Sequence, residues 1–105
     1  MSATPLPPIT DNVDESRFEV SVDGQTAILT YKLRRDRLIL VHTGVPDELG
    51  GRGIAGALIE AAVTRAEADG LTVVPVCPFA ASWLREHPDQ AGRVNIHWRS
   101  EQPAD

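Results

Sequence analysis

The chain of 105 residues has one cysteine, Cys77, and no apolar run approaching the roughly 20 residues that span a bilayer. A single cysteine excludes an internal disulfide and a multi-cysteine zinc site, and it suits a reducing compartment. The N-terminus lacks the charged-then-apolar layout of a secretory leader. A cytoplasmic location without a membrane anchor is therefore expected. Positive charge is scarce: ten Lys and Arg stand against fifteen Asp and Glu, a net −5. Only Arg34, Arg35 and Arg37 gather, around an expected turn, and they are expected as a solvated hairpin tip. That balance speaks against a nucleic-acid partner. The three histidines have neither metal-ligand spacing nor an acid cluster beside them, so no metal is expected.

What is present suits one domain around one core. Residues 1–16, with three prolines and three acids, are expected as a flexible lead-in, and residues 100–105 as a flexible tail. Between them, residues 17–99 form the domain. From Arg17 the apolar period is two: Phe18, Val20 and Val22 share a face before the Asp23-Gly24 turn. Ala27, Leu29, Tyr31 and Leu33 continue it, and "RLILVHT" (37–43) is apolar on both faces, as a central strand is. At Ile54 the period becomes helical, through Leu58, Ile59, Ala62, Val63 and Ala66 to a capping Gly70. "LTVVPV" (71–76) reads as a strand covered on both faces. Pro78 opens a second helix that Pro88 stops, with Phe79, Trp83 and Leu84 pointing inward. "RVNIHWR" gives a last strand. The predicted order is β-β-β-α-β-α-β, an α+β domain.

Glycine crowds one place. "ELGGRGIAGALIE" (48–60) carries Gly50, Gly51, Gly53 and Gly56 just where the helix begins. Such a stretch lets several backbone N–H groups converge on an anion at a helix N-terminus. No Gly-Lys-Ser/Thr follows, which excludes a Walker A loop. Gly51, Gly53 and Gly56 spell the dinucleotide fingerprint G-x-G-x-x-G, but the context is wrong for it. That motif opens the first crossover of a parallel sheet directly at a strand end, and the next strand closes on an acid. Here three antiparallel-patterned strands come first, "GVPDEL" intervenes, and "VVPVCPF" has no acid. A plain tight turn is the remaining alternative.

A strand, a loop, a glycine-rich turn, a long helix and a parallel strand resemble motif A of the GNAT N-acetyltransferases, Arg/Gln-x-x-Gly-x-Gly/Ala. Laid on this chain, the motif becomes Gly50-Gly51-Arg52-Gly53-Ile54-Ala55. Residues 42–89 further resemble the short, stripped-down GNAT-like proteins, which carry an H-T-x-V-P segment, a G-x-G-I-A turn and a V-x-P-x-C-P segment before His-Pro. The resemblance implies a GNAT-like fold with a β-α-β CoA-binding unit, acetyl-CoA as cofactor, and acetyl transfer to an amine or protein acceptor. The motif's first side chain is absent at Gly50, and Gly44 stands where many relatives place a glutamate.

In that fold the strands at 37–43 and 71–76 splay apart, and the pantetheine arm enters the gap. Backbone groups of Leu40, Val41 and Thr43 are then candidates for the arm and the thioester oxygen. Gly51, Arg52, Gly53, Ile54, Ala55 and Gly56 are candidates for the pyrophosphate, with Arg52 supplying charge. Cys77 ends the second splayed strand at a helix N-terminus, where a thiol is acidified. It reads as a nucleophile, acceptor or group beside the thioester, or else as a small buried side chain. His42 reads as a catalytic base or a structural residue, His87 as a helix cap, and His97 as exposed. Asp47 and Glu48 read as solvated loop residues. The tight turns through 17–36 leave no room for the helical pair that builds the acceptor site in larger relatives. The acceptor side is thus expected to be open, or completed by a partner or by a second subunit in a homodimer. A non-catalytic CoA-binding or sensing module is the alternative function, and a purely structural domain a third.

Overall fold

Alternation of apolar and polar residues from Arg17 onward builds a meander of strands, and the computed structural model of the protein describes residues 7–98 of it. Strands β1 (Thr10–Asn12), β2 (Arg17–Val22), β3 (Gln25–Arg34) and β4 (Arg37–Gly44) run antiparallel, and β5 (Thr72–Pro75) adds in parallel to β4. The spatial order of this five-stranded sheet is the sequence order. A single 3-10 turn at Asp47–Leu49 precedes helix α1 (Ile54–Asp69). Helices α2 (Pro78–Glu86) and α3 (Pro88–Ala91) follow β5. The tail expected at 100–105, like Arg99, lies outside the described residues.

One face of the sheet is dry. Phe18, Val20, Ala27, Leu29, Tyr31, Leu38 and Leu40 are buried against the α1 stripe of Ile54, Leu58, Ile59, Ala62, Val63 and Ala66. At about 25 cal/mol per Å² of apolar surface removed from water, this interface supplies the main driving force for the fold. The stripe ends where Gly70 adopts φ 68 and closes the helix with Leu71 N–H bonding Ala66 O. The opposite face of β2 to β4 carries Glu19, Ser21, Thr30 and Lys32 with half-buried Ile28 and Ile39. β4 is therefore apolar on both sides yet uncovered on one.

Five details depart from the sequence expectations. Residues 10–12 of the expected lead-in form an edge strand, anchored where Asp11 accepts hydrogen bonds from Tyr31 Oη (2.6 Å) and Arg65 Nη1 (2.7 Å). The last strand is reduced to one bridge between Val73 and Ile96, with Val73 N–H bonding Asn95 O and His97 N–H bonding Val73 O. His97 there is half-buried rather than exposed. Pro88 opens α3 instead of only ending α2. Phe79 is 47% exposed, whereas Leu84 is buried and Trp83 half-buried.

Candidate functional site

The site lies where β4 and β5 part company. Their parallel register runs from Arg37 opposite Thr72 to Leu40 opposite Pro75 and ends there. The Leu40 carbonyl closes the pairing by accepting both Val76 N–H (3.0 Å) and Cys77 N–H (2.9 Å). Of the candidate backbone groups, Leu40 O is therefore already engaged within the fold. At the same point the β3 register shifts: Thr30 faces His42 but Tyr31 faces Leu40, so Val41 is passed over as a bulge. A bulge leaves the extra residue's polar groups outside the ladder. Beyond it, β4 is paired with β3 on one side and, among the described residues, has no strand on the other, which makes a wedge-shaped opening.

Thr43 and Cys77 face each other across the wedge, Thr43 Oγ1 lying 3.4 Å from Cys77 Sγ. Cys77 is the N-cap of α2, with Pro78 in its first turn. Burial pushes the thiol up, but the Thr43 hydroxyl and backbone and the Ala80 and Phe79 amides favour the thiolate more. The net effect holds Cys77 below the ordinary 9.0. Cys77 is buried, 5% exposed. His42 is exposed, and its Nε2 lies 3.6 Å from where a side chain on Gly44 would begin.

The glycine turn forms the other end of the site. Gly51 (φ 80) and Gly53 (φ 75) are left-handed, a region costly for other residues, and Gly53 caps α1 without any side-chain hydrogen bond. The first-turn amides of a helix have no acceptor within it, so those of Ile54, Ala55 and Gly56 are free donors at its positive end. No acid sits in that first turn. A cleft of about 550 Å³ opens beside it, lined by Gly50, Gly51, Gly53 to Ala57 and Glu60, with Phe79 and Trp83 from α2 and His87 just after it. Gly56 serves packing as well as access: a Cβ there would lie 2.5 Å from Trp83 Nε1.

Two placements differ from expectation. Arg52 does not line the cleft; its Nη1 pairs with Asp23 Oδ2 at 3.0 Å on the β2–β3 hairpin, both side chains exposed. The helix face of Phe79, Trp83 and His87, spaced by four, lines the cleft, with Trp83 also packing against the edge of the core. The core face of α2 is Ala80, Ala81 and Leu84. That double stripe was the available signal, because both faces of α2 are apolar but at offset positions. His87 does act as a cap, Nδ1 lying 2.7 Å from Trp83 O, and its ring also stacks on the indole with centroids 3.9 Å apart. Asp47 and Glu48 are exposed and outside the cleft lining.

A glycine cradle at a helix N-terminus, beside a bulged strand that splits from its parallel neighbour, is the arrangement that the sequence's resemblance to the GNAT N-acetyltransferases implies. The profile of the GCN5-related N-acetyl-transferase family matches residues 17–93, and the chain belongs to that family. It is similar to the protein called NATD1 of Mus musculus, 34% identical over 75 residues that cover 69% of this chain and 68% of that one. NATD1 of Gallus gallus is 33% identical over the same shares. Among solved structures, a GCN5-like candidate N-acetyltransferase from Staphylococcus aureus superposes with a TM-score of 0.67 at 26% identity, covering 91% of this chain and 96% of that one. The chain is thus a short GNAT-type N-acetyltransferase domain with the α+β fold of that family. Among the described residues, no helix is long and apolar enough to cross a membrane.

Proposed function

We propose that this domain binds acetyl-CoA and transfers its acetyl group to an amine, the opening between β4 and β5 being the observation that carries the reading. When bound, the cofactor supplies an acetyl group activated as a thioester. The cradle suits its diphosphate: Gly51 and Gly53 have open space where a Cβ would stand, so backbone donors rather than side chains meet the anion. Val41 offers backbone groups to the arm on the side of β4 that has no strand partner among the described residues, and Thr43, whose backbone already favours the Cys77 thiolate, lines the same opening.

Cys77 is the proposed nucleophile. With acetyl-CoA held there, the Cys77 thiolate would be placed to accept the acetyl group, and the cofactor would leave as its free thiolate. The acceptor amine then attacks the Cys77 thioester, restores the thiolate, and gives its proton to His42. Position is what qualifies His42. Its imidazole reaches the space beside Gly44, where relatives resembling this chain place a carboxylate, and a base acts only within hydrogen-bond reach of its proton. The uncovered sheet face, with Ile39, Val41 and Val76 at the opening, leaves the acceptor side broad. That breadth suits a protein amine, or a small amine held by a second copy of the chain. A cytoplasmic setting fits the free thiol.

A second reading, a CoA-binding module without turnover, is favoured by one observation. Among the described residues, no hydrogen bond orients the His42 side chain. Calorimetric titration with acetyl-CoA and NAD tests the cofactor; NAD binding without a CoA signal refutes the proposal. Intact mass after incubation with acetyl-CoA tests the chemistry, because an acetyl adduct on wild type must vanish in Cys77→Ala. CoA binding with no adduct and no acceptor turned over moves the conclusion to the binding module.

A further inference from the structure

We infer that His87 is the cationic phosphate ligand of the cleft, so that cofactor binding takes up a proton at its Nε2. This rests on the acetyl-CoA reading and adds to it a specific residue and a pH dependence.

A diphosphate brings more negative charge than one helix N-terminus, with about half a positive charge, can neutralise. The residue expected to supply the rest does not reach: Arg52 is held on Asp23 and lies outside the lining. Among the described residues, no Lys or Arg lines the cleft. Its titratable lining residues are Glu60 on α1 and His87 after α2. Among the residues placed there, only an imidazole can become a cation.

The geometry also fixes which nitrogen is used. A carbonyl only accepts, so Nδ1, at 2.7 Å from Trp83 O, carries its proton whatever the charge of the ring. Nε2 is left for a ligand. Unprotonated, it is an acceptor and faces a phosphate oxygen lone pair to lone pair. Protonated, it donates a charge-assisted hydrogen bond. Stacking at 3.9 Å and 13° on Trp83 holds the ring plane, and Trp83 is in turn seated on Gly56 in the first turn of α1. The imidazole therefore stands on a fixed platform beside the glycine cradle. The charged groups around it are Glu60 from α1, Glu86 before it in the chain, and Asp89 in α3. Arg52 of the loop is already paired.

The test is CoA affinity by calorimetry at about pH 6 and about pH 8.5, for wild type and His87→Gln. Wild type is expected to lose about tenfold more affinity than His87→Gln over that interval, the scale of one charge-assisted hydrogen bond. Titration of CoA's own phosphate is common to both proteins and cancels. Repeating the wild-type titration near pH 8 in buffers of different ionisation enthalpy reads proton uptake without any variant. Uptake is expected, and its absence overturns the inference. Dephospho-CoA separates the sources: an unchanged pH effect assigns the contact to the diphosphate, and a lost one to the ribose phosphate. Equal pH slopes in wild type and His87→Gln, with CoA still bound, overturn His87 alone. No CoA binding at either pH overturns the acetyl-CoA reading, and this inference with it.

Discussion

Gly56→Ala sets two effects of similar size against each other in the first turn of α1. Gly56 is helical with an ordinary φ, so the substitution gains helix propensity, about 0.8–1.0 kcal/mol for alanine over glycine. Against it stands the indole: the new Cβ would lie 2.5 Å from Trp83 Nε1, 3.2 Å from Cε2 and 3.4 Å from Cδ1. The ring cannot slide freely, because its other face carries the His87 imidazole at 3.9 Å. Overpacking of this kind costs roughly 1–3 kcal/mol. The steric cost exceeds the propensity gain, leaving about 1 kcal/mol net destabilisation and a Tm about 4–8 °C lower for a domain of this size. The assay is thermal unfolding in a Trp98→Phe background, where Trp83 is the sole tryptophan and its emission reports the ring's displacement. CoA affinity is expected to fall in parallel, since the cleft wall moves. A higher Tm with unchanged Trp83 emission would refute the reasoning, for propensity would then have won and the indole would not rest on Gly56.

Asp23→Ala releases Arg52 beside the glycine cradle and is expected to raise CoA affinity by up to about fivefold, the scale of an exposed ion pair; weaker binding, by titration, would count against it. Thr43→Val removes the hydroxyl that bonds Cys77 Sγ and is expected to slow alkylation of the thiol at neutral pH by about 3- to 10-fold, with unchanged rates as the contrary result. Because the Cys77 pKa is depressed below 9.0, its thiolate stabilises the folded state above the unfolded thiol's range and loses that as pH falls through the folded value. The stability gap between wild type and Cys77→Ser should accordingly widen from neutral to alkaline pH in chemical denaturation. Asp11→Asn weakens the hold on β1 and is expected to cost about 1–3 kcal/mol, read as lost hydrogen-exchange protection across 10–12. Burial first, then the Asp11 hydrogen bond, raise Tyr31 above 10.0 against the opposing pull of Arg65. Stability from Tyr31 is thus present below that value and lost as pH rises through the folded one. Tyr31→Phe should lack this alkaline loss.

Local pattern carried the sequence reading wherever the deciding physics was local. Period-two alternation marked β2 without error, and the helical stripe with its glycine stop marked α1. The proline after Cys77 marked the start of α2. Order of elements, rather than the glycine spacing, separated the GNAT motif from a dinucleotide fold. What escaped depends on partners distant in sequence. β1 is a short polar strand whose retention comes from Asp11 meeting Tyr31 and Arg65, residues from β3 and α1. Arg52 reads as a phosphate ligand until Asp23 of the β2–β3 hairpin is seen to hold it. Val94, Ile96 and Trp98 alternate like a strand, but only Ile96 bridges to β5. The shared cleft face of Phe79, Trp83 and His87 escaped because a helix with two apolar faces does not announce which one meets a cleft.

The sheet order bears on how the molecule assembles. Every neighbouring strand pair is consecutive in sequence, and three of the four pairings are antiparallel. Such contacts close short loops and form early, since loop-closure entropy grows with the chain enclosed. The exception is β4 with β5, which must wait until residues 45–71 have folded over the sheet. The glycine cradle, the wedge and the Thr43–Cys77 contact all lie on that one long-range seam. Folding and competence for ligand are thereby distinct events: the meander can be complete while the site does not yet exist. A cofactor that bridges the seam would act late, trapping the closed form rather than guiding the chain towards it.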